Sequence, residues 1–281
     1  MTKQDFENAV IGYINSSPGN YVKKEIALRP QLEGMRIFEE PLTGYASAVD
    51  PYFLQAKKPD IIGTHFITPL EWLAAAQTVI SFFIPFTQQV RQANGQNTAW
   101  PADEWLHARI EGQEFILAIC RFAQALLEEK GFAAIVPILD PRFSSASPVT
   151  NDKTEPAYYT SNWSERHAAY AAGLGTFGLS KGLISRKGVA GRYFSIITSV
   201  FFQPDGRPYT GIYDYCILCG ACARSCPAKA ISQEKGKNSF FCSTFLDSIK
   251  EKCAPRYGCG KCQVKVPCET KAPNFNASAH P

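Results

Sequence analysis

Nine of the ten cysteines in this chain fall between Cys216 and Cys268, and no other feature limits so tightly what the chain can become. The N-terminal segment MTKQDFENAVIGYINSS mixes acids and bases with single apolar residues. It has no continuous apolar core and does not read as an export signal. The expectation is a cytoplasmic protein in a reducing, anaerobic cell. Disulfide frameworks belong to exported domains, so crowded thiols in a reduced chain read as metal ligands. Cys120 stands apart in an apolar stretch and reads as a small buried hydrophobe on a helix.

Residues 216 to 227 read CILCGACARSCP. Cys216, Cys219, Cys222 and Cys226, with Pro227, repeat the C-x2-C-x2-C-x3-C-P spacing of bacterial ferredoxins. Thiolates two residues apart wrap a short loop around one cubane, and the small Gly220 and Ala221 let backbone N–H groups approach its sulfides. Pro227 turns the chain so that the fourth thiolate serves a second cluster. A zinc ribbon would use two CxxC pairs instead. The later cysteines, Cys242, Cys253, Cys259, Cys262 and Cys268, are less regular. Two cubanes need about eight ligands, so one of these five is spare.

Upstream, apolar periodicity predicts a helix over residues 4–16, with Phe6, Val10, Ile11 and Ile14 on its inner face. Loop punctuation runs from Ser17 through Pro51, and Glu71 to Ala76 reads as a short helix. Thr78 to Phe86 reads as a buried strand, RQANGQNTAWPAD as a loop, and Ala102 to Lys130 as a long helix that Gly131 ends. Ala133 to Ile138 is a second expected strand. Residues 139–163 form a long irregular stretch, the kind that in a compact domain is usually functional. A helix over Glu165 to Ala172 and strands at Gly182 to Ser185 and Tyr193 to Phe202 complete the pattern. Helices alternating with apolar strands predict a mixed α/β (α+β) layer over 1–205. Residues 206–281 then form a module with too few apolar residues for a large core of its own, so metal must supply much of its order.

Residues 165 to 181 read ERHAAYAAGLGTFGLSK. Gly173, Gly175 and Gly178 make a literal GxGxxG, but a helix precedes it and strand-like residues follow, which excludes the dinucleotide fingerprint. Two readings stand: tight chain reversal, or close backbone approach to a large flat ligand.

The cysteine module resembles the double-cluster domain of epoxyqueuosine reductases and the related reductive dehalogenases, in which a helix-opening Cys and a CxxC follow the ferredoxin motif. The helix opened by Glu165-Arg166 and running into AGLG matches the same family, and the similarity covers Val136 to Glu269. It implies that Cys216, Cys219, Cys222 and Cys268 hold one [4Fe–4S] cluster, that Cys226, Cys242, Cys259 and Cys262 hold the other, and that Cys253 is free. It further implies a nitroreductase-like layer binding base-off cobalamin through Arg166, Gly173, Leu174, Gly175, Gly178 and Lys181. Two departures stand out. Five residues precede Cys268 where the family has three, and Tyr159 occupies the place of the reductases' proton-donating Asp. Reductive dehalogenases use a tyrosine, so Tyr159 or Tyr158 becomes the candidate proton donor, with Arg166 or Lys181 lowering its pKa. The missing Asp, and the end of the chain before any helical repeats, count against epoxyqueuosine tRNA as substrate.

The expected function is low-potential electron transfer through two clusters to a cobalamin that reduces a small molecule. The expected donor is a ferredoxin or flavodoxin. The alternative is a corrinoid-reducing or electron-transfer protein with no substrate of its own. A net charge of +4 without a run of Lys and Arg does not imply nucleic acid, and no apolar run approaches the roughly 20 residues of a membrane span. His65, His107, His167 and His280 have no ligand spacing to one another, and the tail NFNASAHP reads as disordered.

Overall fold

A computed structural model describes residues 1–146 and 160–274. At its centre is a four-stranded antiparallel sheet in the order Leu42–Ser47, Thr78–Pro85, Gly191–Thr198, Ala134–Ile135. Every residue of Thr78–Pro85 is buried, as suits a β-branched and aromatic run with both faces covered. One face carries Ile80, Phe82, Ile84, Phe194 and Ile196. These pack on Phe6, Val10 and Ile14 of helix Lys3–Ser16 and on Phe115, Ile119 and Ala123 of the long helix Asp103–Glu129. The other face, with Val79, Phe83 and Ile197, packs on Ala168 and Ala169 of helix Glu165–Ala171 and on Trp163. Each such side chain contributes about 1.5–3 kcal/mol on burial. The first helix starts where expected because Thr2 and Asp5 form a reciprocal capping box.

Several elements differ from the sequence expectation. Leu42–Ser47 is an edge strand rather than loop; its LTGYAS sequence has little β signal, and pairing with Phe83 through Thr78 supplies the order. Gln88–Gln96 is a helix where a loop was expected from Arg91. Polar and interrupted by Gly95, it is fixed from outside: Asn94 and Gly95 are buried against the later cysteine loop. The short helix lies at Pro69–Trp72, capped by Thr68 and Glu71, and the strand expected over 133–138 is two residues long. Cys120 is fully buried in the first core.

The cysteine segment is joined to the sheet by main-chain bonds. Phe177 N–H donates to the Ile212 carbonyl at 2.7 Å, Val189 N–H to Cys268 at 2.9 Å, and Ala190 N–H to Glu269 at 3.2 Å. Arg256, 8% exposed, holds Glu111 of the long helix through two contacts of 2.5 and 2.6 Å. His107, whose ring also bonds Glu111 at 2.9 Å, accepts from the Leu28 N–H, so its role here is structural. Among the described residues, no helix is long and apolar enough to cross a membrane.

Candidate redox site

The ferredoxin-like loop turns sharply at its thiols. Leu218 has φ 50° and Gly220 φ 69°, both left-handed, and Gly220 caps the short helix Ala221–Arg224. The result is that Cys216, Cys219, Cys222 and the distant Cys268 line one pocket, with Gly178 on its wall. Cys219 is exposed and the other three are half-buried. Beside it, Cys226 is buried with Leu179, Ala230 and Ile231; Cys242 and Cys262 pack against the same group, as do Cys216 and Cys222, so the two sets of thiols adjoin. The electrostatic neighbours of Cys262 include Cys242 and Cys226, and those of Cys259 are Cys262, Cys242 and Lys261. Cys253 closes the helix Ser239–Cys253, about 16 Å along the axis from Cys242, and joins neither group.

No three His, Cys, Asp or Glu side chains among the described residues converge on a single-ion site. One zinc would require thiols about 3.8 Å apart, given a Zn–S bond of about 2.3 Å. A polynuclear cluster instead takes one thiolate at each iron. Burial pushes the Cys222 thiol up to about 11 and those of Cys259 and Cys268 up to about 12, so metal loading must displace protons from them.

The Cys259–Cys262 loop is seated by its neighbours. Gly260, at φ 64°, lies so close to Trp105 that any Cβ would overlap the ring. Lys261 is buried with its Nζ donating to the Asn94 carbonyl at 2.6 Å and to Asn94 Oδ1 at 3.1 Å. Asn94 Nδ2 in turn donates to the Cys259 carbonyl at 3.0 Å.

Near this loop lies Arg166, exposed to solvent, with Tyr193 and Cys262 among its electrostatic neighbours. Its guanidinium donates to the Lys181 carbonyl. Lys181 is exposed and sits at φ 57° in a tight turn closed by its N–H on the Gly178 carbonyl at 2.8 Å. The glycine run is used by the chain itself. A Cβ on Gly175 would meet the Ile184 carbonyl, and one on Gly173, at φ 78°, would lie 2.7 Å from the Gly206 carbonyl. Leu174 is buried in the second core. Of the expected cofactor residues, Arg166 and Lys181 are thus linked by a hydrogen bond, Gly178 lies at the first thiol pocket, and Gly173, Leu174 and Gly175 are packed against the chain itself. Tyr158 and Tyr159 lie outside the described residues, as does the tail after Asn274.

Four residues near Arg166 carry no motif in the sequence. Arg109 and Gln113 stand one turn apart on the long helix, Arg192 on the central strand, and Tyr257 just before the CxxC loop. Arg109 stacks on Tyr257 at 4.5 Å and donates to its hydroxyl at 2.7 Å; Arg192 donates to Gln113 Oε1. The i, i+4 spacing of Arg109 and Gln113 was the available clue. Glu165 was also passed over as a helix opener. Burial pushes its carboxyl up to about 8, against hydrogen bonds from Ser195 and Trp163, with Ser195 Oγ at 2.5 Å. His167 is lowered to about 4 by burial, then by Arg166.

A 4Fe-4S binding domain model matches residues 209–232, which hold the four cysteines of the ferredoxin motif. Tetrachloroethene reductive dehalogenases of Desulfitobacterium hafniense and Dehalobacter restrictus are each 41% identical over 68 residues, 24% of this chain. The chain spans only 12% of their length. An epoxyqueuosine reductase structure superposes over 97% of this chain and 68% of its own, with a TM-score of 0.51 at 17% identity. A catabolic reductive dehalogenase superposes over 82% of this chain and 30% of its own, with a TM-score of 0.50 at 17% identity. The chain is therefore similar to both groups in fold, carries a [4Fe–4S]-type domain, and is mixed α/β.

Proposed function

We propose that the chain is an iron–sulfur oxidoreductase in which two [4Fe–4S] clusters pass low-potential electrons to a base-off cobalamin that reduces a small molecule. The observation that carries this reading is the gathering of Cys216, Cys219, Cys222 and Cys268 at one pocket and of Cys226, Cys242, Cys259 and Cys262 beside it, with the solvent-exposed Arg166 next to Cys262. In this proposal residues 1–205 form a nitroreductase-like cofactor layer and 206–281 the cluster module. Cys216, Cys219, Cys222 and Cys268 hold the outer cluster; Cys226, Cys242, Cys259 and Cys262 hold the inner one; Cys253 is free.

The division of labour follows from exposure. Cys219 is exposed and is flanked by Ile217 and Leu218 at 49% and 55% exposure, so the outer cluster is the one a ferredoxin or flavodoxin can reach. Cys262 neighbours the solvent-exposed Arg166, so the inner cluster adjoins the accessible space at Arg166. A cobalamin bound there supplies reducing equivalents at cobalt. Arg166 and Lys181 border its space, and their positive charge favours the phenolate of a proton-donating Tyr158 or Tyr159 after transfer. Tyr159 in place of the reductases' Asp supports a small molecule over epoxyqueuosine tRNA as substrate.

The test is an anaerobic titration of iron-reconstituted protein with hydroxocobalamin, with iron and cobalt analysis. About eight irons and one retained cobalt per chain support the proposal. The same iron with no cobalt leaves a two-cluster electron carrier, and half that iron removes the second cluster from the account.

A further inference from the structure

Among the described residues, the arginines that form ion pairs are Arg29, Arg91, Arg142, Arg207 and Arg256. Arg109, Arg166 and Arg192 form none, as is also true of Arg36, Arg121, Arg186 and Arg224, but these three are neighbours, with Arg109 and Arg166 both close to Arg192. Their partners are neutral: the Tyr257 hydroxyl, the Lys181 carbonyl and the Gln113 amide oxygen. Arg109 and Arg166 both act on Arg192, together with the Tyr257 phenol. Glu111, the carboxylate between Arg109 and Gln113 on the helix, is committed to Arg256 and His107.

This arrangement opposes stability. A partly desolvated cation without a counter-ion is unfavourable, and like charges nearby add to that; burial and its two arginine neighbours accordingly lower the Arg192 pKa to about 9. Yet Arg109, Gln113, Arg192 and Tyr257 are all only half-buried, so a solute can enter. The Tyr257 hydroxyl accepts from Arg109 and keeps its own proton to donate. The Gln113 amide has its NH2 group to offer, since only its oxygen is engaged by Arg192.

We infer that Arg109 and Arg192, completed by Arg166, Tyr257 and Gln113, form a binding site for an oxyanion of the phosphate class. Planar guanidinium forks match the oxygens of such a group in pairs. Two sources offer this chemistry. Under the function proposed above, a corrinoid brings a phosphodiester in its nucleotide loop; a phosphorylated small molecule would bring its own.

Calorimetric titration of inorganic phosphate into the anaerobic, cluster-reconstituted full chain tests the site. The wild type should bind, and Arg192→Gln and Arg109→Gln should each weaken binding by about tenfold or more. The surface control Lys250→Gln should not change it, and unchanged cluster absorbance in every variant confirms folding. No phosphate binding by the wild type, or equal binding by both arginine variants, overturns the inference. A second arm compares hydroxocobalamin with cobinamide, which lacks the phosphodiester. An advantage for cobalamin that Arg192→Gln abolishes assigns the anion to the cofactor. Equal retention of both assigns it to a separate solute. Retention of neither, with phosphate binding intact, ends the corrinoid reading and leaves the anion site standing.

Discussion

In the sheet region, Phe82 stacks on Phe194 at 4.7 Å, both strands are clad on two faces, and apolar burial alone accounts for the order. Between Cys216 and Cys268 the buried apolar residues are few: Ala230, Ile231, Ile249, Val264 and Val266. Exposed Ile217, Leu218 and Phe241 lie in the same segment. Here the chain is held by its attachments to the body and, in the function proposed, by iron. The contrast teaches that a short segment can keep a defined shape without a core, provided that ligation replaces burial.

The sharpest way to break this comparison is to remove the iron. Chelation should abolish amide protection across residues 216–262 and leave that of Thr78–Pro85 and Gly191–Thr198 intact in hydrogen exchange. Equal loss in both regions would show that the sheet depends on metal too. Single thiols come next. Cys242→Ser should cost about half of the bound iron, and Cys253→Ser none, by iron analysis on matched preparations. Core truncation should then separate the regions energetically. Phe82→Ala is expected to cost about 3–5 kcal/mol, whereas Phe241→Ala in the cysteine region should stay within about 0.5 kcal/mol, both read from denaturant unfolding.

The smallest effect is a pair of opposite pH slopes. Glu165 has a folded pKa of about 8 against a reference of 4.5, so the folded state holds the extra proton. Its contribution is complete below 4.5 and is lost as pH rises towards 8. Burial opposes ionisation of Glu111, but hydrogen bonds from His107 and Arg256 hold its carboxyl at about 2. Its contribution is complete above 4.5 and is lost as pH falls towards 2. Glu165→Gln should flatten the first limb and Glu111→Gln the second, in unfolding measured at matched pH.

What the sequence disclosed follows the same division. Spacing alone identified the ferredoxin thiols, because cubane ligation demands fixed intervals along the chain. Helix Lys3–Ser16 and strand Thr78–Pro85 were legible because their burial is written as periodicity and as an apolar run. Leu42–Ser47 and Gln88–Gln96 were not, since each is ordered by a partner distant in sequence: the edge strand by Thr78–Phe83, the polar helix by Cys259 and Lys261. Arg109, Arg192 and Tyr257 escaped for the same reason. Their meeting joins a helix, a strand and a loop, and nothing local to any of them marks it. The GxGxxG run allowed two readings, chain reversal or approach to a flat ligand, and Gly173 and Gly175 make room for the chain's own carbonyls, as the first requires.

The bond from Val189 N–H to the Cys268 carbonyl bears on how the protein matures. Three of the thiols proposed for the outer cluster lie within one short loop and are available as soon as that loop is synthesised. Cys268 is brought to them only when the lead-in to strand Gly191–Thr198 has taken its place, pairing with Cys268 and Glu269 through Val189 and Ala190. Iron delivered to a nascent or misfolded chain would find three-quarters of a ligand set and exchange away. Under the function proposed, stable loading of that cluster would therefore report that the segment leading into the sheet is already in place.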